Sequence, residues 1–210
     1  MNKNLTIRLL YTVFGIILIG FAVAMVRIAA LGTDPFTTLN LGFTAATGYR
    51  YGITSMFTNI LATIFVLFVD KRLIGLGSLL NLLLVGNISD LVVNLFTDTF
   101  GPAEAIWIKI IFAALGMLVL AIGAAMNIVA NLGVSPYDAL PLVGEILGKG
   151  KIRFQYARVV LDFSAVGVGF LLGAKIGVMT IVTAFFMGPL LQFFRIKLFA
   201  LLQILEKGMQ

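Results

Sequence analysis

The sequence predicts an all-α polytopic membrane protein. Six transmembrane helices are expected as two inverted three-helix repeats, each with a short broken or re-entrant helix after its first span. Three observations predict this. Of the 210 residues, 60% are hydrophobic and 11% charged, whereas a water-soluble domain is about half apolar and about a quarter charged. Six stretches are long and apolar enough to cross a bilayer. A Gly-x-x-Pro break inside the apolar sequence recurs 101 positions later, as a tandem duplication would produce.

The spans are read at 7–31, 52–69, 73–97, 105–131, 155–173 and 175–203, each near the roughly 20 apolar residues a bilayer crossing needs. Lys3 and Arg8 flank the first run, but Leu9–Leu31 is too long for a signal-peptide core and lacks a cleavage site, so it is expected to be retained. The fifth span carries Arg158 and Asp162 near its start. The last is expected to leave the bilayer near Arg195 and continue as an amphipathic interfacial tail. With the N-terminus in the cytoplasm, Lys3, Arg8, Lys71, Arg72, Lys149, Lys151, Arg153, Arg195, Lys197 and Lys207 fall on one side. Arg50, Lys175, Asp98 and Glu104 fall on the other, with Lys109 inside the start of its span. Positive charge inside then places both termini in the cytoplasm.

The net charge of +6 is spread through short loops, which serves orientation in a membrane, and no nucleic-acid partner is expected. There is no cysteine and no histidine. That removes thiol nucleophiles, disulfides, the usual metal ligands and the commonest general base. No phosphate-cradling glycine loop or HExxH pattern occurs. The chain is expected to be no enzyme, with no catalytic residue, cofactor or metal, and its first partner is the lipid bilayer.

The duplication divides one membrane domain into 1–103 and 104–210. Eight of the eighteen positions from Ala24 to Leu41 match those 101 residues later, including Leu31-Gly32-x-x-Pro35 against Leu132-Gly133-x-x-Pro136. With one residue inserted, Gly75, Ser78 and Gly86 then meet Gly177, Thr180 and Gly188. Three spans per half is an odd number, so the second half enters from the opposite side, an architecture of secondary transporters. Glycine ends the first span. Asp34 caps, and Pro35 begins, a short helix to about Thr47; Ser135 and Pro136 do the same for one to about Leu147. One such break is also how an ordinary turn is written. Two in register are expected to place helix N-termini, with free N–H groups and partial positive charge, at a binding site.

The expected substrate-binding residues are Arg27, Gly32, Thr33, Asp34, Pro35, Phe36, Asn127, Asn131, Gly133, Ser135, Pro136, Tyr137 and Asp138. Arg27 sits one turn before the first break and has no charged counterpart, since Ile128 stands in its place. With the positive helix ends it argues for an anionic or carboxylate-bearing substrate. Arg158 and Asp162 are spaced i, i+4 on one helix face, as an ion pair or as a coupling relay. Gly169, Gly173 and Gly177 make a small-residue ridge for packing within the bundle or for a homodimer.

The break "LGTDPF", its echo "LGVSPYDAL" and the Gly-rich starts of spans three and six resemble the YczE/YyaS/YitT-like group of small bacterial integral membrane proteins. The resemblance implies a duplicated, transporter-like fold in a bacterial cytoplasmic membrane, with some members associated with export or production of secondary metabolites. A small secondary transporter is the reading that uses the repeat. A non-transporting accessory or assembly protein, and a substrate-binding subunit of an energy-coupling-factor-type importer, are the alternatives.

Overall fold

The computed structural model describes residues 3–149, 151–152 and 154–208. Arg153, counted above among the cytoplasmic charges, lies outside them. The described residues form eight α-helices and no strand. These are α1 (Lys3–Ala29), α2 (Pro35–Thr47), α3 (Tyr51–Val69), α4 (Leu76–Phe100), α5 (Ile106–Ala130), α6 (Pro136–Leu147), α7 (Phe154–Leu171) and α8 (Val178–Gly208), with a 3-10 turn at Lys71–Leu73. Five helices, α1, α3, α4, α5 and α8, are long and apolar enough to cross a membrane. The remaining expected span, α7, is 18 residues long and carries Arg158 and Asp162 in its first half.

The breaks follow from local chemistry. After α1 the chain turns through Ala30 (φ 53°) and Gly32 (φ 103°); after α5 it turns through Asn131 (φ 53°) and Gly133 (φ 106°). Such left-handed backbone is cheap only for glycine and tolerable for asparagine. Asp34 then caps α2 by accepting from the Thr37 N–H at 3.1 Å, and Pro35 opens the helix with a φ already suited to it. Pro136 opens α6 likewise. Ser135 occupies the corresponding cap position but makes no capping bond; it lines the central cavity instead.

α1 and α5 cross at the centre through glycines. A Cβ on Gly15 would lie 2.9 Å from the Gly123 carbonyl, and one on Gly123 2.7 Å from that of Gly15, so the two backbones touch. α4 packs on α1 and α8 on α5, while α2 packs on α7 and α6 on α3. Each short helix thus lies against the long helix of the other half. Ile16, Ile19 and Val23 of α1, Leu120 and Ala124 of α5, and Met187 and Leu191 of α8 form the main apolar core. Phe14, Phe21, Phe65, Ile111 and Phe185 are about half exposed, an outer surface suited to lipid rather than water.

α4 and α8 begin at Leu76 and Val178, three residues later than the expected spans at 73 and 175. The intervening residues run against the opposite break: the Val134 N–H donates to the Leu73 carbonyl at 2.9 Å. The C-terminal part of α8 packs on the start of α1. Leu202 is buried with Ile7 and Tyr11, and Glu206 pairs with Arg8 at 2.8 Å.

A candidate binding site between the two breaks

The two breaks are held by equivalent residue pairs, with one backbone bond repeated and one hydroxyl bond reversed in direction. The Leu31 carbonyl accepts from the Met179 N–H, and the Leu132 carbonyl from the Gly77 N–H. The Thr180 hydroxyl accepts from the Thr33 N–H at 3.1 Å; the Ser78 hydroxyl donates to the Val134 carbonyl at 2.5 Å. Each partner lies 101 or 102 residues from its equivalent.

Between the breaks is a buried cavity of about 50 Å³. Of the expected residues it gathers Asp34, Phe36, Ser135, Tyr137, Asp138 and Arg158. The Phe36 and Tyr137 rings stack with centroids 4.6 Å apart. Arg158 is 7% exposed, and its guanidinium pairs with Asp138 through Nη1 and with Asp162 through Nε at 3.0 Å. The Tyr137 hydroxyl donates to the other Asp162 oxygen at 2.7 Å. These groups form one buried network across α6 and α7. Thr37, Tyr51 and Asn81 also line the cavity. Asn81 was visible as a polar residue in an apolar run, but nothing local in the sequence marks Thr37 or Tyr51 as partners of the second break.

Asp34 is different. Its Oδ2 holds the Thr37 N–H, but its Oδ1 has no partner among the described residues, although Asp34 is only 8% exposed. Asp34, Asp138 and Asp162 are thus three carboxyls served by one guanidinium.

The other expected residues stand outside the cavity. Pro35 and Pro136 open the short helices. Gly32 and Gly133 are pressed against the opposite half, where a Cβ would lie 2.6 Å from Thr180 Oγ1 and 2.5 Å from the Gly75 N. Arg27 is not at the cavity. Its Nη1 donates to Ser89 at 2.8 Å and to Asp90 at 2.9 Å, and its guanidinium lies 4.4 Å from the centroid of the Tyr51 ring. With Gly32 and Thr33 it lines a separate vestibule of about 390 Å³. Asn131 lines a second vestibule of about 490 Å³ with Arg8 and Arg195. Asn127 is buried in α5, with both ends of its amide unpartnered. The expectation of an anionic substrate rested on Arg27 and on the positive helix ends; Arg27 pairs with Asp90, the α2 end is capped by the Asp34 carboxylate, and the cavity carries more carboxyls than guanidinium groups. The Gly169–Gly173–Gly177 ridge faces its own chain, meeting Thr38, Ala45 and Leu31.

Long apolar helices around a buried polar cluster define a polytopic helical membrane protein. The chain belongs to a family of unknown function, DUF6198, whose model matches residues 6–196. It is 30% identical over 184 residues to an uncharacterized protein of Haemophilus influenzae, covering 86% of this chain and 80% of that one. It is 26% identical over 195 residues to the uncharacterized membrane protein YczE of Bacillus subtilis, covering 92% and 87%. YyaS of Bacillus subtilis, also uncharacterized, is 23% identical over 187 residues, covering 89% and 92%. No solved structure matches the chain.

Proposed function

We propose that the protein is a small secondary transporter of the bacterial cytoplasmic membrane. Its six spans, α7 included, would form two inverted three-span repeats with both termini in the cytoplasm, and a small molecule would bind at their interface. The observation that carries this reading is the composition of the central cavity. Asp34 and Ser135, Phe36 and Tyr137, and Thr37 and Asp138 all line it, and each pair is separated by 101 residues. A cavity built from equivalent positions of two repeats lies on the axis that relates them, which is where transporters of this architecture bind substrate. The two vestibules support the same reading, since Arg27 and Ala30 of one correspond to Ile128 and Asn131 of the other. Alternating access would come from one repeat rocking against the other, opening the cavity to each vestibule in turn. In this reading the protein performs no chemistry and needs no cofactor or metal.

The chain has no native cysteine, so single replacements give a clean test. Ala30→Cys and Asn131→Cys should react with a membrane-impermeant thiol reagent from opposite sides, outside and inside. Phe36→Cys should react slowly and only through opening of the cavity. Labelling of Ala30→Cys and Asn131→Cys from the same side overturns the inverted repeat. A Phe36→Cys that never reacts overturns access to the cavity and leaves the polar cluster as packing, as an accessory protein would have it.

A further inference from the structure

We infer that the central cavity is a site for one positive charge carried on Asp34, either a proton or the ammonium group of a small amine, the two competing for the same carboxyl. This rests on the reading of the cavity as a transport site and adds the charge of what it takes.

Two of the three carboxyls, Asp138 and Asp162, already share Arg158. Asp34 has no cation of its own, and its free Oδ1 belongs to a residue that is 92% buried and lines the cavity. A buried carboxylate without a counter-charge is costly, and a proton or a bound cation removes that cost. Among the described residues the cavity lining offers one cation, Arg158, and two other carboxylates already share it. α3 contributes Tyr51, α6 contributes Tyr137 and Asp138, α7 contributes Arg158 with Asp162 behind it, and α4 contributes the neutral Asn81. The cavity-lining residues from α1, α5 and α8 are apolar. Arg27, over the Tyr51 ring, is held by Asp90.

Shape and surface narrow the organic ligand. About 50 Å³ is room for a few water-sized groups at roughly 10–15 Å³ each, which fits a methylammonium-sized cation and excludes a large one in this conformation. Three aromatic rings, Phe36, Tyr51 and Tyr137, line the cavity, and two of them already take a cation on a face, with Arg27 4.4 Å from the Tyr51 centroid and Arg158 5.1 Å from that of Tyr137. In the exchange, the protonated Asp34 carboxyl gives its proton to bulk water as the ammonium group arrives, so the charge of the site is unchanged and no bond to carbon forms or breaks.

The test uses purified full-length protein with methylammonium, acetate and protons as probes. Methylammonium should bind saturably with release of a proton, acetate should not bind, and Asp34→Asn should weaken the amine by about tenfold or more while abolishing proton release. Should methylammonium not bind, a potentiometric titration in which wild type takes up one more proton than Asp34→Asn well above the ordinary carboxylate range of about 4 assigns the charge to the proton alone. Coincident titrations without amine binding, or binding of acetate instead, overturn the inference. Asn caps a helix as well as Asp, so Asp34→Asn is expected to fold. Phe36→Cys, with Asp34 intact, gives an independent measurement: methylammonium should slow its thiol labelling and acetate should not. If Phe36→Cys labels and neither probe slows it, the transport site stands, the amine does not, and the proton titration decides the charge; if it never labels, the site itself fails.

Discussion

The Leu31 carbonyl accepts a hydrogen bond from the Met179 N–H at 3.0 Å, joining the end of the first break to the first turn of α8. Leu132 and Gly77 make the equivalent bond at 2.7 Å. A helix start has N–H groups without intrahelical partners. Here each long helix finds one of those partners in the opposite half.

The glycines beside these bonds leave no room for a side chain. A Cβ on Gly177 would sit 2.0 Å from the Leu31 carbonyl, and one on Gly75 2.5 Å from that of Leu132. Gly177→Ala and Gly75→Ala are each expected to cost at least about 1–3 kcal/mol through overpacking. Gly188→Ala, with nothing within 4 Å of its Cβ, should change stability by no more than about 1 kcal/mol, the helix-propensity difference. Thermal melting in detergent distinguishes them.

Arg158 holds two buried carboxylates. Arg158→Met leaves both without their cation and is expected to cost about 3–5 kcal/mol, seen as loss of the monodisperse peak on size exclusion. The triple variant Arg158→Met, Asp138→Asn, Asp162→Asn removes the stranded charges together and should recover much of the folded yield. A triple variant no better than the single one would mean that the guanidinium's packing, not its charge, holds α6 to α7.

Arg27 and Asp90 tie α1 to α4, and Asp90 also accepts from the Gly52 N–H of α3 at 2.8 Å. Arg27→Gln and Asp90→Asn should therefore be coupled, with an interaction of about 0.5–3 kcal/mol in a double-mutant cycle. Additive effects would show that the pair is not formed in the bilayer.

Asn127 is 1% exposed and neither end of its amide has a partner among the described residues. An unsatisfied buried polar group costs about 1–3 kcal/mol. Asn127→Leu is expected to raise the melting temperature; a fall would reveal a polar partner for the amide.

The short helices were legible almost to the residue, because glycine, proline and the Asp34 cap act within a few positions of one another. The sequence expectation for α2 and α6 matches Pro35–Thr47 and Pro136–Leu147. The late starts of α4 and α8 were not legible, since Gly75 and Gly177 face a break about sixty or a hundred and fifty residues away in the chain. Arg27 illustrates the same limit. Its isolation in an apolar run marked it as special, but its partner, Asp90, lies 63 positions on. In the cavity, Asp138 and Arg158 were visible as charges in apolar surroundings, whereas Tyr51 looks like any aromatic at the head of a span.

The crossed packing of α2 on α7 and α6 on α3 sets the order of assembly. α2 contains Thr37, Thr38 and Asn40, all with 0% exposure in the finished protein, yet α7, which covers it, begins only at Phe154. A chain made from its N-terminus must therefore insert most of its length before its first polar break is enclosed. Until then those groups need shelter from lipid. Neither half has a finished interior without the other.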